Sequence, residues 1–340
     1  MKLVKTEDAV GQVLCHDITQ IIKGVTKDAV FRKGHIITEE DIPVLLSVGK
    51  ENIYIWENNE NMLHENDAAL ILYEICKGEH MGPSEIKEGK IELIAECDGV
   101  LKVDSEKLHR VNSLGEMMIA SRHGNFPVKK GDKIAGTRVI PLIIEKEKME
   151  RAKEAGAGEP IFRILPYQKK KVGIVTTGSE VYKGRIEDTF TPVILDKLSE
   201  FDTTLVGHEI CSDDHEMITA AIRKLLDQGA DFILCTGGMS VDPDDRTPLA
   251  IKNTGAEIIT YGAPVLPGAM FLLSYYGDTK IPVIGLPGCV MYAKRTIFDL
   301  VLPRLMAGEV LCKDDIDRLG EGGLCLSCKV CTFPNCGFGK

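Results

Sequence analysis

Residues 231–248 read Asp-Phe-Ile-Leu-Cys-Thr-Gly-Gly-Met-Ser-Val-Asp-Pro-Asp-Asp-Arg-Thr-Pro. The first six spell a short buried strand, and the glycine pair Gly237-Gly238 ends it. A loop carrying Ser240, Asp242, Asp244 and Asp245 follows, and Thr247-Pro248 is a good start for a helix. In a parallel sheet, ligands sit beyond the carboxyl ends of strands. Adjacent glycines there let a ligand lie against bare backbone, and free amides suit an anion. The aspartates suit a metal ion bridging to that anion, hydrogen bonds to an amine-rich ring, or a capped and solvated turn.

Working outward, Lys171 to Pro192 repeats the design. An apolar strand ends in Thr177-Gly178-Ser179, an acidic loop holds Glu187 and Asp188, and Thr191-Pro192 enters a helix. A third strand, Ile281 to Gly288, closes on Gly285-Leu286-Pro287-Gly288. Between them the pattern predicts strands at Val172–Thr176, Thr203–His208, Phe232–Thr236, Glu257–Thr260 and Pro282–Gly285. Helices are predicted at Pro192–Phe201, His215–Gln228, Pro248–Asn253 and Val290–Ala307, the second opened by a capping box from Asp213 to Glu216. Such alternation gives an α/β fold, a doubly wound, mostly parallel sheet with helices on both faces.

The preceding half is read as small mixed α+β and β domains. Residues 1–66 are a small α+β unit with a helix opened by Thr38 and a strand at Ile53–Trp56, in which His16 and His35 are surface or satisfied histidines. Residues 67–146 are a helix and a small β domain. Residues 147–167 are a charged linker, 168–308 the large α/β domain and 309–340 a cysteine-rich tail.

The net charge of −10 argues against a nucleic-acid partner, which would need a basic face. The start, Met1 to Asp8, has no apolar core of a signal peptide, and no run of eighteen apolar residues exists, so a cytoplasmic protein without a membrane partner is expected. Seven scattered cysteines (Cys15, Cys76, Cys97, Cys211, Cys235, Cys289, Cys312) read as small buried hydrophobes in a reducing compartment.

Thr-Gly-Ser-Glu at 177–180, Glu-Asp-Thr at 187–189, Gly-Gly-Met-Ser-Val at 237–241, Asp-Asp-Arg-Thr-Pro at 244–248, Pro-Gly at 267–268 and Gly-Leu-Pro-Gly at 285–288 stand in one order. Together, over roughly residues 168–308, they resemble the molybdopterin-binding domain shared by the insertase-type and adenylyltransferase-type proteins of molybdenum-cofactor biosynthesis. The resemblance implies molybdopterin or its adenylate as ligand, held by Thr177, Gly178, Ser179, Glu180, Gly237, Gly238, Ser240, Pro267, Gly268, Gly285, Pro287 and Gly288. It implies chemistry at Asp245 and Asp188, with a Mg²⁺ ion against the phosphates, and a homo-oligomer, dimer or trimer. Asp188 is equally placed to serve the start of the following helix. The implied activity is molybdate transfer to adenylated molybdopterin; adenylation of molybdopterin and a non-catalytic carrier or sensor are the alternatives. One departure favours the carrier. Where the insertase pattern has a Lys-Pro-Gly-Lys-like loop, this chain has Val265-Leu266-Pro267-Gly268-Ala269, without the cations that an oxyanion site needs.

The tail carries Cys325-x-x-Cys328-x-x-Cys331-x4-Cys336. Four thiols so close suit a soft metal, as an iron–sulfur cluster or as structural zinc. The large domain has its own core, so removal of 320–340 is expected to leave its melting unchanged.

Overall fold

Alternate residues of the strand Phe232–Thr236 belong to two different cores, and that alternation sets the architecture. Phe232 and Leu234 pack in one cluster with Ile194, Leu198, Val301 and Leu305; Ile233 and Cys235 pack in another with Ile218, Ile222, Leu225 and Ile251. The strand is therefore buried on both faces, as a parallel strand covered by crossover helices must be. Helices Phe190–Leu198 and Ile297–Met306 contribute to the first cluster; His215–Asp227 and Thr247–Asn253 contribute to the second.

The computed structural model describes residues 2–22, 26–55, 60–240, 242 and 245–340. Trp56, Asn58 and, in the glycine loop, Val241, Pro243 and Asp244 lie outside them. The chain forms two units: Met1–Glu96 with Val103–Arg122 and Gly131–Arg163, and Cys97–Lys102 with His123–Lys130 and Ile164–Lys340.

In the second unit six strands lie in the order Thr203–Cys211, Lys170–Thr177, Phe232–Thr236, Ile281–Leu286, Leu272–Tyr276, Glu257–Tyr261. The first four are parallel. Leu272–Tyr276 runs antiparallel to both of its neighbours. That strand was not expected; only residues 277–280 join it to Ile281–Leu286, too few for a crossover helix, so the chain returns as a hairpin. The expected helix Val290–Ala307 is also divided. A single turn at Gly288–Met291 is followed by Ile297–Met306, which Thr296 and Asp299 open with a capping box. No capping box forms from Asp213 to Glu216; the cap is Asp214, whose carboxylate accepts from the Glu216 and Met217 amides at 2.8 and 3.0 Å. This frees Asp213 for the site described below.

The chain beyond residue 308 is part of the same core. Leu311, Ile316 and Phe338 are buried in the first cluster, and Phe333 packs against it. The Gly339 amide donates to the Gly322 carbonyl at 2.9 Å, so residues 322–339 form a closed excursion. Truncation at 320 would uncover that core, contrary to the expectation from sequence.

In the first unit, Lys2–Lys5 pairs with Asn52–Ile55, and Ala9, Leu14, Ile37, Leu45 and Ile53 form a small core. His35 is satisfied by Asp41 at 2.7 Å, whereas His16 Nδ1 has no partner among the described residues. A four-stranded antiparallel sheet, Met81–Pro83, Lys90–Ala95, Lys133–Val139 and Met117–Ser121, accompanies the helix Glu65–Cys76. The stretch read from sequence as a helical arm or linker forms the helix Lys146–Ala155, which buries Met149 and Ala152. Among the described residues no helix is long and apolar enough to cross a membrane. Cys15, Cys76, Cys211 and Cys235 are buried, Cys97 and Cys289 partly so, and Cys312 is exposed.

Candidate functional site

Thr176 and Thr236 are register partners, as are Thr236 and Leu286. The loops that follow, at 177–180, 237–240 and 287–288, therefore leave the sheet side by side at its carboxyl edge. The edge is held by hydroxyls. Thr177 Oγ1 donates to the Thr236 carbonyl at 3.1 Å and pairs with Thr247 Oγ1 at 3.2 Å. Thr247 Oγ1 in turn donates to the Gly237 carbonyl at 2.9 Å, and its amide to Gly238 at 3.3 Å. Gly237 and Gly238 have φ of +83° and +56°, the left-handed region that favours glycine. A Cβ on Gly237 would strike the Thr177 carbonyl, and one on Gly238 would meet Thr247 Oγ1 at 2.8 Å. The pair thus exists for close approach of two loops, with the ligand-facing side left to backbone.

Several of the residues expected to bind are engaged elsewhere. The Gly178 amide donates to the Cys211 carbonyl at 3.1 Å and the Ser179 amide to the Asp213 carboxylate at 2.8 Å, because this loop is moored to the end of the neighbouring strand. Gly285 is buried beneath Met239: a Cβ there would meet the thioether at 2.5 Å, so the glycine makes room for a core side chain. Pro287 is buried and Gly288 exposed. Gly268 is buried against Ile297, and the Pro267 carbonyl accepts from the Ile297 amide at 3.1 Å, which docks the Pro-Gly turn onto a helix start. Glu180 is exposed, its carboxylate folded back beside Gly178.

What stays open is the stretch Gly238 to Ser240. Among the described residues, its amides donate to no backbone carbonyl. Thr236 Oγ1, fully buried beneath it, has no hydrogen-bond partner among them either, although buried polar atoms are normally bonded. Lys183, Arg185 and Arg246, on the loops of this edge, are exposed and enter no ion pair among the described residues. Amides without a backbone partner, a buried hydroxyl and exposed cations outside any ion pair, all among the described residues, are the groups of this edge that can meet an anion.

The two expected catalytic carboxylates differ. Asp188 accepts from the Phe190 and Thr191 amides at 2.9 and 3.1 Å and from the Thr191 and Thr176 hydroxyls at 2.6 and 3.2 Å. Its partial burial opposes the charge, but these bonds outweigh burial and hold the carboxyl below the ordinary aspartate range. The contacts make it the anchor of the helix Phe190–Leu198, with His208 Nε2 3.5 Å away. Asp245 is half-buried at the loop; its carboxylate accepts the Asp242 amide at 3.2 Å and no other hydrogen bond among the described residues. Sequence reading missed Tyr261, whose hydroxyl donates to the Met239 and Ser240 carbonyls at 2.9 and 3.3 Å and fixes the loop from the far strand. Burial and then the Asp245 charge raise its pKa. Nothing local in the sequence tied residue 261 to 239. Among the described residues, no three His, Cys, Asp or Glu side chains stand as ligands of one ion.

These loops stand at the strand ends of an α/β sheet covered on both faces. Residues 173–307 match the family described as "Probable molybdopterin binding domain". Residues 3–57 match a "Domain of unknown function". A CinA-like protein of Mycobacterium avium is 43% identical over 90 residues, which are 26% of this chain and 21% of that protein. Its counterpart in Mycobacterium tuberculosis is 37% identical over 90 residues, again 26% and 21%. The match therefore spans about a fifth of the length of these relatives. Among solved structures, the molybdopterin biosynthesis enzyme MoaB from Thermus thermophilus is 24% identical with a TM-score of 0.34, covering 41% of this chain and 98% of that one. The tungsten cofactor synthesizing protein MoaB from Pyrococcus furiosus is 23% identical with a TM-score of 0.32, covering 36% and 84%.

Proposed function

We propose that the second unit binds molybdopterin or its adenylate at this carboxyl edge, as a step in molybdenum-cofactor biosynthesis. The reading is supported by the Gly238–Ser240 amides, which donate to no backbone carbonyl among the described residues, and by the exposed Lys183, Arg185 and Arg246 on loops of the same edge: these suit the ligand's phosphate, while Asp245 suits the amino and ring N–H groups of a pterin. In this reading the turnover is molybdate transfer to adenylated molybdopterin with release of AMP, Asp245 would hold a Mg²⁺ ion that would neutralise phosphate charge, and the chain works as a homo-oligomer. A second reading, a non-catalytic carrier, is favoured by the Pro267–Gly268 turn, which is packed on Ile297 and offers molybdate no cation.

One assay separates them. The protein is incubated anaerobically with Mg²⁺ and either adenylated molybdopterin plus molybdate or molybdopterin plus ATP, and AMP and adenylate are followed. The transfer reading predicts AMP from the first mixture. It also predicts that Asp245→Asn slows release by roughly a hundredfold with melting unchanged, since only a charge is lost. Adenylate made from ATP marks an adenylyltransferase, and no product from either mixture leaves the carrier.

A further inference from the structure

The excursion 322–339 has almost no regular structure: one bridge joins Leu324 to Leu266, and no helix or strand follows. Leu326 and Val330 are 79% and 77% exposed, so its middle has no core of its own. A segment like this normally needs a staple. The excursion lines a half-open cavity of about 650 Å³, and Cys325, Cys328, Cys331 and Cys336 all line it. The wall opposite is Pro267 and the stretch Tyr292 to Arg295.

The chemistry of that space is specific. Four thiolates around one centre are soft ligands with excess negative charge. Lys294, Arg295 and Lys329 line the same cavity. The Arg295 guanidinium lies within hydrogen-bond reach of the Cys331 sulfur and is braced by Asp299 at 2.8 Å. Hydrogen bonds and cations at the sulfurs are how proteins stabilise iron–sulfur clusters. Structural zinc would draw four sulfurs to about 2.3 Å from one point. Among the described residues no three of these thiols are gathered as ligands of an ion, and the space they line, about 650 Å³, has room for a multi-iron centre.

We propose that Cys325, Cys328, Cys331 and Cys336 ligate one cubane-type iron–sulfur cluster inside this cavity. On binding, each thiol gives up its proton and forms an Sγ–Fe bond; the protein itself undergoes no change of oxidation state. The site also touches the edge of the sheet through backbone. The Leu266 amide donates to the Gly323 carbonyl and the Cys325 amide to the Leu266 carbonyl, both at 2.8 Å, so ordering the tail orders the Leu266–Gly268 turn. The inference does not rest on the pterin reading.

The test uses the full chain, purified anaerobically and supplied with ferrous and ferric iron and sulfide, followed by iron, acid-labile sulfide and zinc analysis. The proposal expects about four iron and four sulfide per chain with the broad visible absorbance of a cluster. Cys328→Ser and Cys331→Ser alter exposed thiols outside the core, so they fold and should carry at least tenfold less iron. Cys312→Ser, whose hydroxyl can keep the bond to Asp315, should load fully. Hydrogen exchange at Leu266 and Cys325 should slow on loading. Zinc alone, no iron after reconstitution, or full iron and sulfide in Cys328→Ser would each overturn it.

Discussion

At the scale of single residues, the site separates groups that hold the edge from groups that face outward. Asp188 is of the first kind, spending four hydrogen bonds on the start of one helix and on Thr176. Asp188→Ala is expected to cost about 1–2 kcal/mol of stability, as loss of a helix cap does. Denaturant melts check this; a variant as stable as the parent but dead in turnover would return Asp188 to catalysis. The sequence could place Asp188 ahead of a helix but could not say which way its carboxylate turned. The glycines divide the same way. Gly237 and Gly238 announce a turn by standing together at a strand end, whereas Gly285 looks identical on paper and serves only Met239. What a missing Cβ makes room for is a tertiary fact, and local sequence does not carry it.

Among the elements, the two strand–loop–helix repeats were legible because each pairs a buried strand with a turn signal and a helix start. The hairpin return at Leu272–Tyr276 was not, since a short apolar run reads alike in either direction. The element joining the helix Ile297–Met306 to the tail is held by charge. Arg304, which is buried, bonds Glu309 at 2.9 and 2.7 Å and Asp315 at 2.8 Å, and Lys102 reaches Glu309 at 2.7 Å. For Asp315, burial opposes the charge, but the Cys312 amide and Arg304 more than compensate and bring the carboxyl from 3.8 to about 2. A carboxyl depressed in the folded state adds stability that is whole above its unfolded value and disappears as pH falls through the folded one. Asp315→Asn should therefore cost about 1–2 kcal/mol near neutrality, allowing for partial exposure, and flatten the loss of stability between about pH 4 and 2. Parallel acid titrations of parent and variant would show the pair to be inert.

For the whole molecule, the six ordered motifs were readable at a distance because they lie on one edge of one sheet. The tail was readable as chemistry but not as architecture: four cysteines were plain, while the burial of Phe338 in the large core was not, since nothing near it repeats with a helical or strand period. The proposed function lies at the carboxyl edge, and a blocking variant tests that proposal most directly. Gly238→Val is unsuitable, because the new side chain would meet Thr247 before any ligand. Ser240 is exposed and contributes its carbonyl to Tyr261, so Ser240→Trp adds bulk over the open amides without touching the core. Equilibrium binding of molybdopterin, measured anaerobically on parent and variant, should give saturable one-to-one binding to the parent. In Ser240→Trp the affinity should fall by at least about tenfold, near 1.4 kcal/mol, at unchanged melting temperature. No binding to the parent, or equal affinity in the two proteins, would contradict the placement of the ligand at this edge.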